Sequence, residues 1–306
     1  MVHTVMLSLV FGVAFAGSLD QAREARLAGN YSGAASLLDA LHPLVEPDEE
    51  GAWQLERGLA EELSWHPELA EPYYRAAIDV GGEASLEARY HLVVVLDDMG
   101  KYPDARTELG YLRNASNLAA QFVPILDVQA GVIDLHTGFV RRGAHQIDRA
   151  LQKVAVEHPH PWMEGRGRFA LLDAWSDAAD DLGFTGSEGS QKRNLKRRVG
   201  LLKDVESELY ATIKTDEPEW IVASLYRVGR AYADLADDLT NAAPPRRLDA
   251  DQVAEFRSLL QERAEAPRTK AYNCYDHGVS FALRLGFENP TVAQMRAARD
   301  ELAKVR

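Results

Sequence analysis

Four groups of residues have the types and spacing to do chemistry. His158 and His160 stand two apart in HPHP (158–161), a proline-stiffened pair that would bind a transition metal weakly. No third ligand is in view, so the pair reads as a loop ending a repeat, and no metal is expected. Cys274 and His277, three apart in AYNCYDHG, share one face if that stretch is helical, as a thiol and its base would. Nothing near them suggests acyl transfer, and a lone cysteine among apolar neighbours reads as a small buried residue. The carboxylate pairs Asp97-Asp98, Asp180-Asp181 and Asp237-Asp238 recur near expected helix ends. Paired acids serve general acid–base catalysis, but here they read as solvated or partner-facing charge. The fourth group is the basic run Lys192, Arg193, Lys196, Arg197 and Arg198. At helical spacing 193, 196 and 197 fall on one side with 192 beside them, a patch for anionic lipid heads, polysaccharide or an acidic partner. HExxH, a phosphate-cradling glycine loop and a nucleophile elbow are all missing from the sequence. A protein that is not an enzyme and uses no cofactor is the leading reading. An enzyme or accessory using His158/His160 or Cys274/His277, and a structural protein held to anionic surfaces through 192–198, are the alternatives.

Composition narrows the partners. The 306 residues carry a formal net charge of -13, with a pI near 5.2. Most of such a surface repels a phosphate backbone, which argues against nucleic acid and for basic partners, in a salt-dependent way. One cysteine permits neither an intramolecular disulfide nor a multi-cysteine zinc site. The opening MVHTVMLSLVFGVAFA (1–16) has the length of a signal-peptide core and ends in the small-x-small pattern Ala14-Phe15-Ala16. Export, most simply to a periplasm, is the expectation. That run is too short for a stable membrane span, and no other segment approaches one.

The rest of the chain must supply the elements that position these groups, and almost all of it has the helical period. ARYHLVVVLDDM (88–99) and EWIVASLYRVGRAYADLADDL (219–239) repeat apolar residues every three or four positions. Turns punctuate at short intervals: GNY (29–31), HPEL (66–69), GKYP (100–103) and HTGF (136–139). Gly29-Asn30-Tyr31 with Ala34 matches Gly100-Lys101-Tyr102 with Ala105; Ala70 occupies the same place in the second copy and Gly143 in a fourth. Gly58 and Gly131 lie seven residues before their turns, where two helices must cross closely. Downstream, Leu109, Leu112, Tyr74, Ala77, Ile147 and Ala150 fall where a second helix meets its neighbours. In this pattern, over 19–160, the chain resembles the tetratricopeptide repeat family. It departs from that pattern at Val93, which replaces a small residue, and in the stretched fourth copy.

The resemblance implies an all-α, right-handed superhelical solenoid of antiparallel helical hairpins, with repeats over 17–160 and a degenerate helical region with a C-terminal cap over 161–306. Leu225, Val228, Gly229 and Tyr232 restore the first-helix signature late in the chain, and Pro267 predicts a kink or break in the long helix ending near Leu285. Residues 220–285, through Ala243, Pro244, Pro245, Leu248, Leu259, Leu260, Ala266 and Pro267, resemble the C-terminal part of periplasmic tetratricopeptide proteins of myxobacterial gliding-motility and envelope machinery. This implies a protein-binding scaffold or adaptor of the cell envelope, whose partners are proteins of an envelope or motility complex. In the repeat frame the concave face would take Tyr90, Val94, Asp97 and Asp98, then Val132, Leu135 and His136, then Tyr226, Arg230 and Asp234. Arg193, Lys196 and Arg197 would add a basic patch.

Overall fold

The computed structural model describes residues 18–305, apart from 117, 158–159, 185–186 and 246. The expected signal peptide (1–16) and His158 lie outside the described residues. Every regular element among the described residues is helical, and the thirteen α-helices form a helical-repeat array of hairpins. In the first part α1 (Leu19–Leu27) pairs with α2 (Tyr31–Leu41), α3 (Glu50–Leu63) with α4 (Pro67–Val80), and α5 (Ala84–Asp98) with α6 (Tyr102–Arg113). Then follow α7 (Val123–His136), α8 (Val140–Glu157), α9 (Pro161–Asp180), α10 (Glu188–Ile213), α11 (Pro218–Asn241), α12 (Ala250–Leu285) and α13 (Pro290–Val305).

Local chemistry explains the boundaries. Ser18 and Gln21 form a reciprocal capping box at α1, and Asp249 and Gln252 do the same at α12. Prolines open α4, α9, α11 and α13 at first-turn positions, where no backbone donor is lost. Gly29, Gly100 and Gly138 carry φ of 78°, 72° and 84° at the repeated turns, a conformation that penalises other L-residues. In the second copy Trp65 takes that place with φ 65°. The stretch read as a loop over 183–190 is shorter than expected, because the Ser187 side chain caps α10 and starts it at Glu188.

The chain forms two compact units, one ending at Leu126 and the other beginning at Asp127, inside α7. The expected passage from regular to degenerate repeats at 160–161 falls between α8 and α9, which pack together. Gly167 of α9 lies against Ile147 and Leu151 of α8, which makes α8 and α9 part of one packed body.

Both units use glycine to bring helices together. A Cβ on Gly58 would lie 2.6 Å from the Tyr74 ring, and one on Gly131 would lie 2.6 Å from the Ile147 side chain. A Cβ on Gly229, which like Gly131 belongs to the second unit, would lie 2.4 Å from the Tyr275 ring. Ala271, Tyr275 and Gly278 thus repeat in α12 the spacing of Ala70, Tyr74 and Ala77 in α4, and all six are buried. The late hairpin is a repeat whose turn has been drawn out. Of the kink or break expected at Pro267, the break does not occur: α12 runs on through this residue, which is buried inside it. Packing along α11 holds the two halves of α12 in one helix despite the missing hydrogen-bond donor. Finally α13 covers this end with Val292 and Met295 turned inward.

Candidate functional site

The first-helix face expected to meet a partner is partly core. In α5, Val94 and Asp97 are 1% and 2% exposed, and in α7 Val132 and Leu135 are buried too. These residues, assigned to an open surface from the repeat frame, are corrected to the interior. The reason is that α5 is packed by α3, α4 and α6 together, so its apolar stripe is wider than a single hairpin would need. Asp98 and His136 are exposed, and Tyr90 is half-buried with its ring 5.3 Å from that of His91.

In the second unit α11 brings three predicted residues together. Tyr226 is half-buried, 6.0 Å ring-to-ring from Tyr275, Arg230 is exposed, and Asp234 is half-buried. Burial, and then the charge of Asp180, push the Asp234 carboxyl up from its ordinary value, while Arg230, Arg198 and Arg227 pull it back.

These three border a polar tie that joins α9, α10 and α11. Arg227 donates from Nε to Asp173 (2.6 Å), from Nη2 to Asp177 (2.5 Å) and from Nη1 to Asp180 (3.2 Å). Arg198, 0% exposed, donates to Asp180 at 3.2 Å and to Asp238. The basic run therefore splits. Lys192, Arg193, Lys196 and Arg197 are exposed on α10, whereas Arg198 turns inward as a structural cation. The acid pairs split likewise, with Asp97 buried and Asp180 and Asp238 holding arginine, beside exposed Asp98, Asp181 and Asp237.

Of the rival chemistry, the structure describes His160, Cys274 and His277. The His160 side chain accepts a hydrogen bond from the Met163 backbone N–H (3.2 Å) and caps α9. Burial pushes the Cys274 thiol up to about 11, and the nearby Glu206 carboxylate adds to the effect, so it stays protonated and poorly nucleophilic near neutral pH. His277 is exposed on the same helix. Among the described residues no cluster of three or more His, Cys, Asp or Glu is placed to hold a metal ion. Nor is any described helix long and apolar enough to cross a membrane.

Open grooves among the described residues include two that bear on binding. One, of about 470 Å³, is lined by Gln54, Arg57, Glu61, Leu69, Pro72 and Tyr73, with the Arg57 guanidinium 5.0 Å from the Tyr73 ring centre. Asp39 and Glu61 already hold that arginine. The other, of about 580 Å³, runs along α8 and is lined by Arg141, Arg142, His145 and Arg149, with Lys153 and Asp127 among the rest. Sequence reasoning passed over this second groove in favour of 192–198. The signal was present: Arg141, His145, Arg149 and Lys153 recur every four residues along one helix.

No protein-family model matches the chain, and no curated protein matches it. Among solved structures it is similar to a circular tandem repeat protein with novel repeat topology and enhanced subunit contact surfaces. The identity is 15% over 93% of this chain, with a TM-score of 0.25. The alignment spans 62% of that structure's chain.

Proposed function

We propose that the protein is a non-catalytic scaffold of the tetratricopeptide type, exported to the cell envelope, where it holds a polypeptide partner. The observation that carries this reading is the division of labour among its polar residues. Buried charges such as Glu56, Arg166 and Arg198 tie helix to helix, while the outward faces keep exposed arginines and aromatics such as Arg230 and Tyr210. A helical array with Arg and Tyr on its outside has the composition of a recognition surface. The Gly-x-Tyr turns, the close glycine crossings and the small residues of the second helices support the tetratricopeptide type. The apolar run at 1–16 supports export.

The test is a crosslinked pull-down from the envelope fraction of the native host, with wild-type protein and Arg230→Glu as baits. A stoichiometric protein partner captured by the wild type, and reduced at least ~10-fold by the charge reversal, is the expected outcome. Absence of any stoichiometric partner overturns the scaffold reading. N-terminal sequencing of the mature chain addresses export separately, and a start at Met1 overturns it.

A further inference from the structure

The groove along α8 is a concentration of positive charge on a chain whose net charge is -13. Its wall is built by one amphipathic helix. Gly143, Ala144, Ile147, Ala150 and Leu151 face the core, which leaves Arg141, Arg142, His145, Arg149 and Lys153 on the outer side, all exposed. Arg142 is held by Asp134, with its Nη2 2.7 Å from Oδ1, and its guanidinium lies 4.2 Å from the ring centre of exposed Phe139. Among the described residues no carboxylate pairs with Arg141, Arg149 or Lys153. Asp127 is the one acid in the lining and has an interaction of its own.

We infer that this groove binds an extended acidic segment of a partner protein. Spacing favours that occupant over a compact anion. Cations four residues apart on a helix rise by ~6 Å, and those from Arg141 to Lys153 span ~18 Å. In an extended peptide alternate side chains on one face are ~6.6 Å apart, so carboxylates at every second residue keep step with the row. A single phosphate would engage one or two of these cations and leave the remainder unmatched. The Phe139–Arg142 pair at the N-terminal end offers an aromatic–arginine anchor of the kind that dominates interfaces. The inference goes beyond the scaffold reading and does not need its partner identified, because defined peptides test it.

The experiment is fluorescence anisotropy on the full chain, titrated against a labelled decapeptide alternating glutamate and threonine. A second decapeptide of the same composition carries its glutamates in one block. The groove variant is Arg141→Glu/Arg149→Glu/Lys153→Glu, and its control is Arg193→Glu/Lys196→Glu/Arg197→Glu, which changes the net charge equally. All six residues are exposed, so both variants should retain the wild-type circular dichroism and melting temperature. The expected result is binding of the alternating peptide that the groove variant weakens at least ~10-fold and the α10 variant by less than ~3-fold. The affinity should fall as salt rises. Equal loss in both variants would reduce the effect to net charge and overturn the proposal. So would equal affinity for the blocked peptide, displacement by equimolar inorganic phosphate, or groove-dependent binding to anionic vesicles in place of the peptide.

Discussion

The two compact units differ in the best-connected polar tie at their helix junctions. In the first it is centred on carboxylates, although Arg57 also holds Asp39 and Glu61. Glu56, nearly buried, accepts from Arg23 and Arg26 (both 2.8 Å), and Glu62 takes the Tyr74 hydroxyl together with the His91 ring nitrogen at 2.9 Å. In the second, arginine is the hub, with Arg227 serving three aspartates and Arg198 two. An arginine hub keeps its charge at any accessible pH and fans five donors over several acids, so it can pin three helices at once. A carboxylate hub that includes histidine can lose a partner's charge near neutrality. The apolar device is nevertheless the same on both sides, a glycine pressed against a buried tyrosine or isoleucine. Polar ties thus vary between units while the backbone crossings are kept.

The crossings are where the largest effect lies. A Cβ on Gly143 would meet the Gly131 carbonyl oxygen at 2.6 Å and the Leu135 backbone nitrogen at 2.9 Å, backbone atoms that cannot swing aside. Gly143→Ala should therefore cost about 3 kcal/mol, read as a lowered urea midpoint at constant m-value. Gly58→Ala in the first unit meets only a side chain, although that ring is 0% exposed, and should cost somewhat less, about 2 kcal/mol. A neutral Gly143→Ala would mean that the repeat's closest approach lies elsewhere.

Next comes the arginine hub. Arg198→Met removes a buried cation and leaves Asp180 and Asp238 facing each other's charge. Both acids keep some solvent access, which limits the loss to about 2 kcal/mol. Adding Asp238→Asn to Arg198→Met should recover part of that loss. A double variant as unstable as the sum of two independent singles would show that these residues do not act as a unit.

The carboxylate hub yields the pH effect. Burial alone would pull the His91 pKa down, but the charge and hydrogen bond of Glu62 outweigh it and the net shift is upward. With the folded value above the unfolded one, the imidazolium's contribution is complete below the usual histidine pKa of ~6.5 and fades as pH rises through the folded value. Its slope there is at most ~1.4 kcal/mol per pH unit. Hydrogen exchange, corrected for intrinsic rates, should find α4 and α5 losing protection on going from mildly acidic to mildly alkaline buffer while α9 to α11 change less. His91→Gln should flatten the first-unit response. An unaltered response in that variant would assign the pH dependence to another group.

The sequence made much of the fold legible because repeated turns have short-range causes. Gly100 and Tyr102 locate a turn, and Gly58, Gly131 and Gly229 locate crossings, from spacing alone. Burial of a given position was less legible. Asp97 reads as surface charge and Val132 as partner contact only while each hairpin is considered by itself; α5, for one, is also packed by α3 and α4 of the preceding hairpin. Arg198 illustrates the same limit, since one residue beyond Arg197 the helix turns its side chain toward Asp180 and Asp238. Pro267 has the opposite lesson, because a local breaker was overridden by long-range packing. The α8 row was missed for a different reason, having been divided between a degenerate repeat and an unremarkable basic content, with no contiguous run to draw the eye.

The smallest effects come from glycines that touch nothing. Gly110 in α6 and Gly200 in α10 have helical backbones, and a Cβ at either would meet no atom within 4 Å. Alanine there restricts the unfolded chain and raises helix propensity without a clash. Gly110→Ala and Gly200→Ala should each stabilise by about 0.5–1 kcal/mol, opposite in sign to Gly143→Ala. Because one site lies in each unit, the pair also asks whether both units unfold in a single transition. If they do, either substitution raises the same melting temperature, by a few degrees at most. If they do not, Gly110→Ala shifts only the transition reported by Trp53 and Gly200→Ala only that reported by Trp220, which would make the opposed hubs properties of separately stable bodies.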